Sequence, residues 1–161
     1  MSAIQSAVVA GPGRVLADNA YAPASQAAAT AVTTSFTALD TVNLQTGTFT
    51  APLSGNVEVT VTLVAEISAS AGFGFALADH GTVSPLRGVA WIFADSAATI
   101  ARSFALTFIV TGLTPGATCN FDLLGVAASL DTLTVLSIGT NSTSPALSTR
   151  GGPTTFKVTQ L

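Results

Sequence analysis

From Asn56 to Leu63 the chain alternates without a break: Val57, Val59, Val61 and Leu63 are apolar, and Asn56, Glu58, Thr60 and Thr62 are polar. Successive side chains of a strand point to opposite faces, so the pattern places four apolar residues on one face of a half-buried β-strand. Arg102 to Val110 repeats it, with Phe104, Leu106, Phe108 and Val110 on the apolar face, and is expected near the middle of a sheet. Further strands are expected around Thr34 to Leu44, Phe73 to Ala78, Val89 to Phe93, Thr118 to Leu124, Thr132 to Ile138 and Thr154 to Leu161. Turn chemistry separates them at Pro52 to Gly55, Pro85 to Gly88, Thr114-Pro115-Gly116, Gly139 to Pro145 and Gly151-Gly152-Pro153. No segment of roughly ten or more residues carries a helical stripe, which sets α/β architectures aside. About eight or nine short strands predict an antiparallel all-β sandwich.

Two strands depart from simple alternation. In Val89-Ala90-Trp91-Ile92-Phe93 both faces are apolar and need cover on both sides. That cover comes from the second sheet and a loop or from another subunit; the second reading makes Val89, Trp91 and Phe93 interface candidates. In Gly72-Phe73-Gly74-Phe75 the glycines share one face, which marks either close approach by another backbone or local flexibility. Residues 1–32 show no sustained period, with Gly11-Pro12-Gly13 and Ala22-Pro23-Ala24 punctuating an Ala-rich stretch. They are expected to form an N-terminal arm, disordered or extended on a partner, with Val8, Val9 and Val15 as its contact residues. Residues 33–161 then form the domain.

Composition changes the picture of the surface. Only 8% of the 161 residues are charged and 48% are hydrophobic, against about 25% charged in an ordinary soluble domain. Ser, Thr, Ala and Gly must supply a nearly neutral exterior, and weak mutual repulsion favours association with copies of itself or with a larger assembly. The net charge of -3 is scattered without runs, so nucleic acid is not an expected partner. No apolar run approaches the roughly 18 residues that span a bilayer, and no basic residue precedes the apolar stretch at Ile4 to Ala10, a poor match to a secretory signal. The expectation is a protein made in the cytoplasm without a membrane partner.

The chemistry-bearing residues are few. The single histidine, His80, lies between Asp79 and Gly81 and is expected in solvent at the end of a strand, with no Gly-x-Ser-x-Gly turn to give it a nucleophile. Glu58 and Glu66 share a face but stand roughly 26 Å apart on a regular strand, beyond the reach of a glycosidase pair. Asp122 and Asp131 are expected as exposed carboxylates. The single cysteine, Cys119, alternates with Phe121 and Leu123 and reads as a buried thiol. One His and one Cys do not make a zinc spacing, the acids show no calcium loop, and Gly11-x-Gly13 and Gly72-x-Gly74 lack a dinucleotide-binding context. Asn141-Ser142-Thr143 matches a glycosylation acceptor but means little without a secretory route. No catalytic residue, metal or cofactor is expected.

The segment Gly47-Thr48-Phe49-Thr50-Ala51-Pro52-Leu53-Ser54-Gly55-Asn56-Val57-Glu58-Val59 resembles the entry to the central strands of complement globular-head and tumour-necrosis-factor-like jelly rolls. Phe49 would enter the core and Gly55 would permit the turn. Thr111-Gly112-Leu113-Thr114-Pro115-Gly116-Ala117-Thr118-Cys119-Asn120-Phe121 resembles a hairpin of bacteriophage virion proteins, with Cys119 where an aromatic is usual. Gly151-Gly152-Pro153-Thr154-Thr155-Phe156-Lys157-Val158 is similar to the closing strand of such domains. The resemblance implies a jelly-roll sandwich of about 8–10 strands that associates as a homotrimer. It further implies a structural virion protein that decorates the capsid head, bound to the major capsid protein and acting without catalysis. The alternative expectation is a tail or fibre module that binds host-surface carbohydrate, with Trp91 or Tyr21 stacking on a sugar and Asp79 or His80 at its rim.

Overall fold

The computed structural model describes residues 12–21, 30–67, 72–86, 91–94, 102–128, 131–136 and 154–161. They form β1 (Val15–Tyr21), β2 (Thr30–Val32), β3 (Thr37–Ala38), β4 (Phe49–Thr50), β5 (Val57–Ile67), β6 (Gly72–Asp79), β7 (Trp91–Ala94), β8 (Arg102–Val110), β9 (Thr118–Cys119), β10 (Phe121–Ala127), β11 (Asp131–Leu136) and β12 (Thr154–Gln160). Every strand pairing is antiparallel, and the described residues contain no helix.

The strand with the clearest alternation is also the hub. On one side β5 pairs with β8 from Val57↔Val110 to Ala65↔Arg102. Its other side is shared: β12 runs alongside from Gln160↔Val57 to Thr155↔Thr62, and β11 continues from Leu136↔Val64 to Leu133↔Ile67. Outside these lie β1 against β12 and β2 against β11. Among the described strands β8 pairs only with β5, not in the middle of a sheet as its pattern predicts. Alternation reports one dry face and one wet face; it does not report how many neighbours a strand has.

A second sheet runs β3-β10-β6-β7, and β4 and β9 form a short pair of their own. The inward residues of both larger sheets meet in one core: Val57, Val59, Val61 and Leu63 from β5, Leu106 and Phe108 from β8, Phe156 and Val158 from β12, Phe73, Phe75 and Leu77 from β6, and Phe121 and Leu123 from β10. The ring of Phe104 on β8 stands edge-on to Phe73 and Phe75 on β6, with centroids 5.7 Å apart in each case, in the favoured T-shaped geometry. Two sheets sharing one interior is an arrangement consistent with a β-sandwich.

Two expectations are corrected here. Part of the stretch 1–32 belongs to the sheet rather than to an arm: β1 makes six register pairs with β12, from Val15↔Thr159 to Tyr21↔Thr154, and β2 pairs with β11. A bulge between Val15 and Ala17 shifts the inward parity and erases the period from the sequence. Within Thr34 to Leu44 only Thr37–Ala38 is a strand. Asp40 overrides the rest: its carboxylate accepts the Val42 and Asn43 backbone N–H groups at 2.9 and 3.0 Å and the Asn43 side-chain amide at 2.9 Å. An aspartate satisfied by its own neighbours holds a turn in place of a ladder.

Candidate functional site

Of the expected interface residues, Val8, Val9 and Val89 lie outside the described residues. Val15 opens β1 and is 44% exposed. Trp91 and Phe93 lie on β7, at register positions opposite Phe75 and Phe73, and β7 is the outer strand of its sheet among the described strands.

Around Val15 the registers assemble a face no single segment announces. Across β1, β12, β5 and β8 the outward positions form three rows: Val15, Thr159, Glu58 and Ile109; Asp18, Lys157, Thr60 and Thr107; Ala20, Thr155, Thr62 and Ala105. Five of these twelve residues are threonines and three are charged. The Thr62 and Thr155 hydroxyls bond to each other at 2.5 Å, so part of the face's hydrogen-bonding capacity is used within it. Ile109 at its margin is 46% exposed.

The outward side of the second sheet is different, and it holds the main electrostatic feature of the described residues. Asp122 on β10 is fully buried. One of its oxygens lies 2.7 Å from His80 Nδ1 and the other accepts the Gly81 backbone N–H at 2.8 Å. This corrects the expectation of an exposed carboxylate at Asp122, whereas His80 lies half in solvent just after a strand, as expected. A carboxylate only accepts, so the bond assigns the proton of a neutral His80 ring to Nδ1. The imidazole side chain is 49% exposed and the Asp122 side chain 1%. Around the pair, His80 N–H donates to Asn120 O at 3.0 Å, and Thr82 N–H and Oγ1–H donate to Asp79 O at 2.9 and 2.8 Å. The pair therefore anchors the turn after β6. The partners are 42 residues apart, and the sequence signal for them is a carboxylate set in the apolar run Phe121 to Leu124.

Beside it, buried Thr46 donates from Oγ1 to Asn120 Oδ1 at 3.2 Å and accepts the Phe121 N–H at 3.0 Å, while the Asn120 amide donates to Gln45 Oε1. Cys119 is half-buried and its thiol is pushed up from its ordinary value, first by burial and then by the negative charge of Asp79, so it stays protonated and unreactive near neutral pH. Among the described residues no group of three or more His, Cys, Asp or Glu gathers as metal ligands. A cleft of about 450 Å³ is lined by Asp79, Leu86, Val110, Thr111, Gly112 and Leu113.

Two of the three sequence segments that carry the family resemblance meet in space. Phe49 pairs with Cys119 and Thr50 with Thr118, Ala51 N–H donates to Ala117 O at 2.8 Å, and Leu113 N–H donates to Gly55 O at 3.0 Å. Phe49 is buried against Phe121 with ring centroids 5.4 Å apart. Gly55 has φ of +66°, and a Cβ there would stand 2.6 Å from Leu113 O, so both conformation and space require glycine. No protein-family model matches this chain, and no curated protein is significantly similar to it in sequence.

Proposed function

We propose that this chain is a structural subunit of a bacteriophage particle: a homotrimeric jelly-roll protein that decorates the capsid head and stabilises it. The observation that carries the reading is the order of strand pairing. β6 pairs with β7, β5 with β8, β4 with β9, β3 with β10 and β1 with β12, each pair nested inside the next. From Phe49↔Cys119 through Val57↔Val110 and Ala65↔Arg102 to Phe73↔Phe93, each advance on one side is matched by an equal retreat on the other, to within a residue. One long hairpin, rolled so that β12 meets β5 and β10 meets β6, is what a jelly roll requires.

The low charge of the chain and the threonine-rich outward face support an assembly role, since a wide face with little charge costs little to desolvate. The stretch before β1, with Val8 and Val9, would tie the subunit to the major capsid protein, and Val89, Trp91 and Phe93 would contribute to the trimer contact. Decoration needs no catalytic group; apolar area buried at about 25 cal/mol per Å² adds stability to the shell by binding alone.

Immunogold electron microscopy of the parent particle, with an antibody raised against the recombinant chain, tests the reading directly. Label distributed over the head is the expected result; label confined to the tail tip replaces decoration with host-surface recognition, and unlabelled particles remove the virion assignment. Light scattering tests the assembly state: three times the 16.0 kDa chain mass is expected, and a monomer at micromolar concentration removes the trimer.

A further inference from the structure

We propose that the cleft between the end of β6 and the 111–113 loop is a binding site for a small aliphatic amine, an alkyl chain bearing one primary ammonium group. The cleft encloses about 450 Å³, within the roughly 300–1,000 Å³ typical of small-molecule sites. Among the described residues it is lined by the apolar Leu86, Val110 and Leu113, by Thr111 and Gly112, and by one charged residue, Asp79. The bonds that gather at Asp79 go to its main-chain oxygen, which accepts both the N–H and the hydroxyl of Thr82. The His80–Asp122 contact does not involve Asp79, and among the described residues no cation pairs with the Asp79 carboxylate.

These features select a ligand chemistry. A carboxylate beside apolar walls is costly to cover unless the covering group brings a positive charge. A divalent metal ion needs several oxygen, nitrogen or sulfur ligands, and no such cluster exists among the described residues. An ammonium on a flexible apolar stem meets both demands, its charge at the carboxylate and its methylenes against Leu86, Val110 and Leu113. The neighbouring Cys119 thiol, held neutral by burial and by Asp79, adds no second negative charge. This inference does not depend on where in a particle the chain resides.

The test is a nuclear magnetic resonance titration of the full chain with three probes of equal length: hexylammonium, hexan-1-ol and hexanoate. Hexylammonium is expected to produce saturable shifts in the methyl signals of Leu86, Val110 and Leu113 in the millimolar range, with hexan-1-ol about two- to fivefold weaker and hexanoate weaker still. Asp79→Asn is expected to abolish the preference for the cation while the amide spectrum elsewhere stays unchanged, since the bonds at Asp79 use its backbone. Leu113→Ala is expected to weaken both hexylammonium and hexan-1-ol and to keep their order. Equal binding of hexylammonium and hexan-1-ol to the native chain, an undiminished preference in Asp79→Asn, or no methyl shifts at tens of millimolar probe overturns the proposal.

Discussion

The two larger sheets share one core but differ on their outward sides. On the sheet built around β5, outward positions are mostly polar or small, with Val64 and Ile109 the apolar exceptions on β5 and β8: Glu58, Thr60 and Thr62 are half-buried, Val64 is buried, and Ser103, Ala105, Thr107 and Ile109 are exposed. On the sheet built around β6 and β10, outward residues are buried as deeply as inward ones: Ala76, Ala78 and Leu124 form a second, small apolar cluster against Phe36 and Ala38, and Asp122 lies buried beside them. The first sheet faces its surroundings, whereas the second is covered by its own chain. A substitution's cost should therefore follow burial rather than the side of the sheet it occupies.

The largest effects should come from the shared core. Phe75→Ala, at a side chain with no exposure, should lower the stability measured by urea unfolding at fixed protein concentration by about 3–5 kcal/mol. Leu124→Ala sharpens the comparison, because Leu124 points outward yet is fully buried; a loss of about 2–5 kcal/mol is expected, and a loss below 1 kcal/mol would mean that the second sheet's outer side is open. Asp122→Asn should cost about 1–3 kcal/mol by weakening the bonds to His80 and Gly81, and the His80 ring proton signal should move with it. Smaller again is an alkaline decline. Cys119 and Tyr21 both titrate above their ordinary values, each through burial first and a nearby carboxylate second. The folded chain therefore holds these protons at a pH where the unfolded chain has released them. Stability should be level below about pH 8 and fall as pH rises through the folded values, with Cys119→Ser removing the earlier part of the fall. Thr60→Ala, on the outward face of the first sheet, should change stability by less than about 0.5 kcal/mol.

This difference also explains what the sequence discloses. Asn56 to Leu63 and Arg102 to Val110 alternate because one side of each strand faces water, and both are strands with the expected inward residues. Phe73 to Ala78 is buried on both sides, so its apolar run carries no parity, and the burial of Ala76 and Ala78 emerges only with the register against β10. β1 is not written in the sequence because a bulge breaks its period and because Ala17, Asn19 and Ala20 are weak strand formers; what makes it a strand is the ladder offered by β12. The Asp122–His80 pair was illegible for a similar reason. Neither residue implies the other until pairing sets Ala78 opposite Asp122, which brings the turn after β6 over the carboxylate. The cleft at Asp79 likewise depends on where β6 and β8 end, and element ends are weakly written in sequence.

The position of β12 between β1 and β5 governs the route by which the chain reaches this structure. β12 supplies the ladder for both neighbours, yet its bonded partner Thr62 is 93 residues away from Thr155. Until that late segment inserts, β1 has no described partner and the β12 side of β5 is a bare edge of alternating valines and threonines, open to another chain. Loop closure over such separations is slow, on the scale of milliseconds to seconds for β-rich topologies. A chain of this design is most exposed to misassociation just before completion, and a chaperone or a low concentration of nascent chains would raise its yield more than any change to the finished core.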